Sequence, residues 1–201
     1  MMKETQGFGD SAVASMASNV ADNATVGIAG HYKVECRNKD GILKWEETFP
    51  NLVNEGGKEL MFDTLLSGSS YTTVGPFLGL ISGDTATFAA DDTMASHSGW
   101  TEFTNYTVDA SAVRGTAAFA AASSTGSTPT NVTTCAASAI VCTITGAGGT
   151  VGGCFLVTGT SAVNTHSDTN GVLYSAGNFA VAKITTSSDT VSVTYSTTAT
   201  S

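Results

Sequence analysis

Two runs of alternating apolar and polar residues, joined by a short turn, restrict the fold more than any other feature of this sequence. In the first run, HYKVECR, the residues Tyr32, Val34 and Cys36 fall on one side and charged residues fall on the other. The second run, ILKWEETF, follows the turn sequence NKDG. Aspartate followed by glycine between two alternating runs is typical of a tight β-hairpin. The sequence therefore predicts an antiparallel hairpin over residues 31–49.

Further strand-like runs continue to the end of the chain. The predicted strands lie at 76–82, 101–108, 112–123, 138–145, 150–159 and 190–198, and two more lie within 172–185 about a Ser-Ala-Gly-Asn turn. A parallel α/β fold is disfavoured, because parallel strands need crossover helices that this sequence lacks. Many short strands separated by turns predict an all-β fold, an antiparallel β-sandwich of jelly-roll-like type.

One segment, NLVNEGGKELMFDTLLSG, has apolar residues at helical spacing. Asn54 or Glu55 supplies a polar start, and Gly68 supplies an end. We expect one short helix of about ten residues that covers one end or face of a sheet.

The chain divides into an N-terminal arm at 1–30 and a single β-sandwich domain at 31–201. The arm has few large apolar residues, with Phe8, Val13 and Met16 scattered along it. Such a segment cannot build a core alone. It is either an extended arm that becomes ordered against a partner, where these three residues would make contacts, or a disordered terminus.

Charge is scarce in this chain. Charged residues make up 12% of the sequence and the net charge is −9, whereas an average protein is about 25% charged. An acidic chain without a basic stripe is not expected to bind nucleic acid directly. No apolar run is long enough to span a membrane, and no secretory signal is evident, so synthesis in the cytoplasm is expected. A weakly charged exterior suggests a surface that becomes covered.

The densest polar cluster, Asp91, Asp92, His97 and Glu102, has three interpretations. It could bind a cation through oxygen atoms, act as an acid–base pair, or cap a turn. Capping is favoured, because the cluster lies in a loop and adjacent acids generally point apart.

Two other motifs are favoured as structural. Asp168-x-Asn170-Gly171 resembles a fragment of a calcium loop but is favoured as an Asn-Gly turn. The glycine-rich stretch 146–153 lacks the following helix and the lysine of a phosphate loop, and favours a β-bulge or a close-packed turn. Without a nucleophile motif, a metal-ligand spacing or a cofactor motif, the chain is predicted to be neither an enzyme nor a cofactor-binding protein.

The four cysteines, Cys36, Cys135, Cys142 and Cys154, form no CxxC pair. They are predicted to be reduced and buried, with a Cys135–Cys142 bridge across neighbouring strands as the alternative. Four aromatic residues have two interpretations of their own, as a stacking platform for sugar or as core and interface anchors. They are Trp45, Trp100, Phe103 and Tyr106.

Several segments resemble a family of small virion proteins of tailed bacteriophages. They are NLVNEGGKELMFDTLLSG, FLGLISGDTATFAADDTMASHSGWTEFTNYT, Arg114, TVGGCFLVTG, GVLYSAGNFA and DTVSVTYS, within residues 31–197. The resemblance implies a structural role, and a capsid decoration (cement) protein on the outer capsid surface is preferred. Its partners would be the major capsid protein and copies of itself, as a homo-oligomer. A tail or adaptor component and a carbohydrate-binding attachment module are the alternatives.

Overall fold

The fold is dominated by two antiparallel β-sheets. The computed structural model describes residues 27–67, 74–83, 86–125 and 132–200. The strands are β1 (Gly27–Arg37), β2 (Leu43–Pro50), β3 (Leu52–Val53), β4 (Phe77–Ser82), β5 (Thr101–Phe103), β6 (Tyr106–Thr107), β7 (Gly115–Thr116), β8 (Ser123–Thr125), β9 (Val132–Ala136), β10 (Ile140–Ile144), β11 (Gly149–Thr158), β12 (Val172–Thr185) and β13 (Thr190–Thr200). One short helix, α1 (Glu55–Phe62), continues into a π-helical turn at Asp63–Ser67. The predicted all-β, antiparallel class with one short helix is confirmed.

The larger sheet has the order β2-β1-β13-β10-β6, with β9 beside β13 and β8 beside β9. The smaller sheet has the order β3-β12-β11-β4-β5, with β7 beside β4. Buried side chains from both sheets form one apolar cluster, which includes Val34 and Val193 from the larger sheet and Leu80 and Leu156 from the smaller one. Burial of this shared apolar surface is the main force that holds the sheets together.

The predicted hairpin is confirmed. Strand β1 pairs with β2, and the alternating residues Tyr32, Val34 and Cys36 are fully buried. In the turn, the side-chain oxygen of Asn38 accepts the backbone N–H of Ile42 at 2.9 Å, and Gly41 has a φ of 78° that favours glycine. Strand β1 begins at Gly27, four residues before the predicted domain boundary.

The predicted helix is confirmed, and its neighbours explain its first residues. The buried amide of Asn54 donates to the carbonyl oxygens of Ala89 at 3.1 Å and Asp92 at 3.3 Å, so it ties the helix to the loop after β4 rather than capping it. A Cβ atom at position 57 would lie 2.7 Å from the carbonyl oxygen of Tyr174. Gly57 therefore lets α1 pack closely against β12.

Two strand predictions were wrong because strand pairing is not local. The predicted strand 101–108 is split, since β5 pairs with β4 in one sheet and β6 pairs with β10 in the other. The predicted pair of strands in 172–185 is a single strand, β12. Between Gly153↔Asn178 and Val151↔Lys183 the register shifts, so the predicted turn is replaced by a bulge within one strand.

Three further differences concern weak strands. Strands β3 and β9 were not predicted, and the predicted strand 112–123 contains only β7 and the start of β8. These segments are short or rich in small residues, so their local pattern is weak and the neighbouring strands with which they pair decide their conformation.

The glycine-rich stretch forms a turn and a bulge, as predicted. Gly146 and Gly148 have φ values of 60° and 75°. At the bulge in β11, a Cβ atom on Gly153 would collide with the carbonyl oxygen of Gly177. Glycine is therefore required there for the close approach of β11 and β12.

Candidate interaction surfaces

Three of the four aromatic candidates lie in the core. Trp100, Phe103 and Tyr106 are 5%, 4% and 0% exposed. The ring of His97 stacks on Trp100 with centroids 3.9 Å apart, and the ring of Phe155 lies 5.1 Å from it. Trp100 therefore has no free ring face for a sugar, and the core interpretation holds for these three residues.

The fourth aromatic candidate, Trp45, is half-buried. Its ring meets Phe179 edge to face at 5.4 Å. Phe8, Val13 and Met16, the candidate contact residues of the arm, lie outside the described residues.

The polar cluster of the loop after β4 does not assemble into a site. The Asp92 carboxylate accepts the backbone N–H of Ala89 at 3.1 Å, which is turn capping. His97 Nδ1 lies 2.8 Å from the carbonyl oxygen of Thr93, and Glu102 pairs with Arg114. Among the described residues, no group of three His, Cys, Asp or Glu side chains is placed to hold a metal ion.

A buried ion pair joins Arg114 to Glu102. The arginine Nε and Nη2 atoms donate to the two carboxylate oxygens at 2.9 and 2.8 Å. The two side chains are 0% and 7% exposed. The sequence showed only that Arg114 is one of two basic residues after Lys58, and it gave no sign of this partner.

The same pair organises the loop between β11 and β12. Arg114 also donates to the carbonyl oxygens of Val163 and Asp168 at 3.3 and 2.8 Å, and Glu102 accepts the N–H of Ser167 at 2.6 Å. The arginine lies over the Phe155 ring, 5.1 Å from its centroid. The Nε, Nη1 and Nη2 atoms of Arg114 all donate to groups of the same chain, which indicates a structural role.

The Asp168 motif is a turn, as predicted. The carboxylate of Asp168 accepts the backbone N–H of Asn170 at 2.7 Å, and Gly171 follows with a φ of 91°. This is the local bonding that Asp uses to stabilise a turn.

Among the cysteines whose side chains the structure describes, three are free and buried, namely Cys36, Cys142 and Cys154. Burial raises the pKa of the Cys142 thiol to about 12. Burial and the nearby charge of Asp189 raise the pKa of Cys36 to about 11, against a smaller opposing effect of Lys44. Thiols of this kind stay protonated at neutral pH and are poor nucleophiles.

The alternative Cys135–Cys142 bridge is not formed. Strands β9 and β10 lie along the same side of β13, one after the other, rather than beside each other. Cys135 is opposite Thr197 and Cys142 is opposite Val191. Six residues of β13 separate them by about 20 Å, far beyond the reach of a disulfide.

Most of the exposed large apolar side chains of the described residues fall in two regions. The first, which we call the helix face, consists of Phe62 and Leu66, which are 59% and 78% exposed. They are four residues apart at the end of α1 and in the turn that follows, so they lie on the same side of the helical segment.

Beside the helix face lies an apolar groove of about 290 Å³, which we call the α1 groove. It lies between the C-terminal half of α1, with its π-helical turn, and the sheets. Its described lining is Leu60, Met61, Thr64, Leu65, Pro76, Phe119, Leu156, Thr158 and Tyr174.

The second exposed region, which we call the edge surface, lies at the start of β2, on the residue before it and on the second half of β12. It consists of Ile42, Leu43, Val181 and Ile184, which are 64%, 42%, 70% and 72% exposed. Strand β2 is the edge of the larger sheet.

One ion pair joins the two strands of the edge surface. The Glu47 carboxylate lies 2.8 Å from Lys183 and accepts the N–H of Ala180 at 2.8 Å. Burial alone would raise the pKa of Glu47, but the bonds from Lys183 and Ala180 outweigh it and lower the pKa. The carboxylate therefore stays charged and holds β12 against β2.

Comparisons of the chain with protein-family models, curated proteins and solved structures find no match. None of the helical segments in the described residues has the length and apolar content that crossing a bilayer requires.

Proposed function

We propose that this protein is a structural component of a bacteriophage virion that acts as a capsid decoration protein. In this role it binds the outer capsid surface across neighbouring capsid subunits and contacts copies of itself. The two sheets would then form a β-sandwich of jelly-roll-like type, with the N-terminal segment as an arm.

One observation carries the proposal: the chain exposes apolar side chains on α1, which packs beside the first half of β12, and again on the second half of β12 itself. Helix α1 packs at the first half of β12, near Tyr174, and the edge surface includes Val181 and Ile184 of its second half. A protein that bridges two neighbours needs two contact surfaces on a rigid body. Contiguous exposed apolar side chains mark interaction sites on folded proteins.

Charge and chemistry support this role. The net charge of −9 opposes contact with packaged DNA, which suits the outside of a shell. A decoration protein that binds only the assembled shell stabilises it by mass action. Sugar attachment has less support. The rings of His97 and Phe155 cover Trp100, and the ring of Phe179 contacts Trp45.

The test is copy number per purified virion, measured by quantitative mass spectrometry against the major capsid protein. Hundreds of copies per particle are expected. A few copies at one vertex would move the protein to the tail or an adaptor, and absence from the particle would overturn a virion role.

A matched set of variants then tests the two surfaces. Leu66→Ser on the helix face and Val181→Ser on the edge surface should each reduce occupancy of the shell. Val141→Ser is the control, since Val141 is a 48% exposed apolar residue on β10, outside both surfaces. Equal occupancy for all three variants would contradict the two-surface proposal.

A further inference from the structure

The α1 groove is large enough for a bulky side chain. Its volume is about 290 Å³ and its described lining is mostly apolar, and a cavity of about 150 Å³ already holds a benzene molecule. We propose that the groove is occupied by the N-terminal segment of the same chain, residues 1–26, through its apolar side chains Phe8, Val13 and Met16. This inference does not depend on the virion assignment.

The position of Gly27, the first described residue, supports the N-terminal segment as the occupant of the groove. Gly27 pairs with Thr200 at one end of β13. Farther along β13, Ser196 pairs with Ala136, and the next residue, Ala137, bridges to Phe119, which lines the groove. Four residues along a strand correspond to about 13 Å. Strand β1 lies on the other side of β13 from Phe119, three strand spacings or about 14 Å away, so the chain enters β1 about 19 Å from the Phe119 side of the groove.

The length of the segment matches this distance. Ten residues, 17–26, lie between Met16 and the start of β1. A ten-residue chain without regular structure has a root-mean-square span of about 18 Å. Met16 can therefore reach the groove without stretching the chain, and Phe8 and Val13 have still longer tethers.

The tether also favours the same chain over a second copy. A short linker gives the attached segment an effective concentration on the order of millimolar at its site. A segment from another molecule must compete with this at its own, usually lower, concentration. The occupant is also chemically suitable, because apolar side chains leave water for a groove lined by Leu60, Met61 and Phe119.

Occupation of the groove leaves the helix face free. Leu65 lines the groove, whereas Phe62 and Leu66 are not among its described lining residues. The docked segment would lie beside the helix face and enlarge the apolar surface there.

Photo-cross-linking tests the occupant directly in the full-length protein. Leu65 is replaced by the photoreactive p-benzoylphenylalanine, which the 75% exposure of this side chain allows without disturbing the core. Equal amounts of ¹⁴N- and ¹⁵N-labelled protein are mixed and irradiated, and the cross-linked peptides are identified by mass spectrometry. The expected adduct joins position 65 to residues 1–26 with a single isotope in both peptides.

Each other outcome overturns the proposal. Mixed-isotope adducts would assign the groove to a second copy, and adducts to residues 68–73, or no adduct, would exclude the N-terminal segment. A Phe8→Ser/Met16→Ser double variant should lower the same-chain adduct by about tenfold, which corresponds to about 1.4 kcal/mol. The same cross-linker at Val141 is the control and should give no adduct to residues 1–26.

Discussion

The Arg114–Glu102 pair and the helix face depart from the usual distribution of residues in opposite directions. At the pair, two charged side chains are 0% and 7% exposed, although buried charge is costly. At the helix face, Phe62 and Leu66 are 59% and 78% exposed, although burying a large apolar side chain is favourable.

The two regions differ in whether the chain compensates for the departure. Arg114 finds a carboxylate and two carbonyl oxygens within its own chain. Phe62 and Leu66 remain mostly exposed to water. The comparison teaches that the fold stabilises its buried charges with internal partners but leaves this apolar pair exposed, as the proposed contact surface requires.

The largest effect is expected from breaking the buried pair. Glu102→Ala leaves the charge of Arg114 buried without its partner and should lower the free energy of unfolding by about 3–5 kcal/mol. Urea denaturation measures this change. Glu46→Ala, at an exposed position on β2, is the control and should have little effect. A decrease of less than about 1 kcal/mol in the free energy of unfolding for Glu102→Ala would show that the pair contributes little to the stability of the fold.

A second effect concerns Asp189, which is 3% exposed and pairs with Lys44 at 2.6 Å. Burial alone would raise its pKa, but hydrogen bonds from Lys44 and Thr186 outweigh burial and hold the pKa below its ordinary value of 3.8. A lowered pKa in the folded state adds stability that is present above pH 3.8 and is lost as the pH falls through the folded-state value.

The variant Asp189→Asn should therefore reduce stability at pH 7 by about 2 kcal/mol. Its stability should also fall less steeply than that of the wild type as the pH drops below 4. Thermal unfolding between pH 2 and pH 7 measures both changes, and parallel profiles for the two proteins would refute this role of Asp189.

A smaller effect is expected at the helix that carries the exposed face. Gly57→Ala places a Cβ atom 2.7 Å from the carbonyl oxygen of Tyr174, so it should push α1 from β12 at a cost of about 1–2 kcal/mol. The neighbouring Gly56→Ala places its Cβ atom 3.3 Å from a Val172 methyl group and gains helix propensity. Chemical denaturation should separate the two variants, and equal stabilities would argue against close packing of α1 on β12.

The smallest effect on stability is expected at the helix face itself. Phe62→Ser and Leu66→Ser remove side chains that are already mostly exposed, so each should change the free energy of unfolding by less than about 0.5 kcal/mol. Under the proposed decoration role, the same variants should weaken binding to the capsid. A stability loss of about 2 kcal/mol or more would show that the chain itself buries this face and would remove the contrast with Arg114.

Local patterns in the sequence were sufficient for part of this structure. The hairpin followed from the alternation around Asp40-Gly41, and α1 followed from helical spacing between Asn54 and Gly68. The turns at Asp168 and at Gly146–Gly148 also followed from nearby residues. Each of these features is set by residues that are close in sequence, whereas the bulge at Gly153 also needs the approach of Gly177 from β12.

The candidate surfaces were less predictable than the fold. Sequence reasoning proposed Trp45, Trp100, Phe103 and Tyr106 as contact residues and left core burial open, and the structure buries three of them. It did not propose Phe62, Leu66, Val181 or Ile184, because an apolar residue in an amphipathic segment is expected to face the core.

The sequence by itself determined the all-β class, the hairpin and the single helix, because periodicity and turn residues act over a few positions. Only the tertiary structure decided that β12 is one bulged strand, that 101–108 divides between two sheets and that Arg114 meets Glu102. Those outcomes depend on which strands, distant in sequence, pair with each other. The pairing is favoured that lets both sheets bury their apolar side chains in one core. A local pattern shows that a helix or strand has an apolar side, whereas the packing of the sheets decides whether that side is buried.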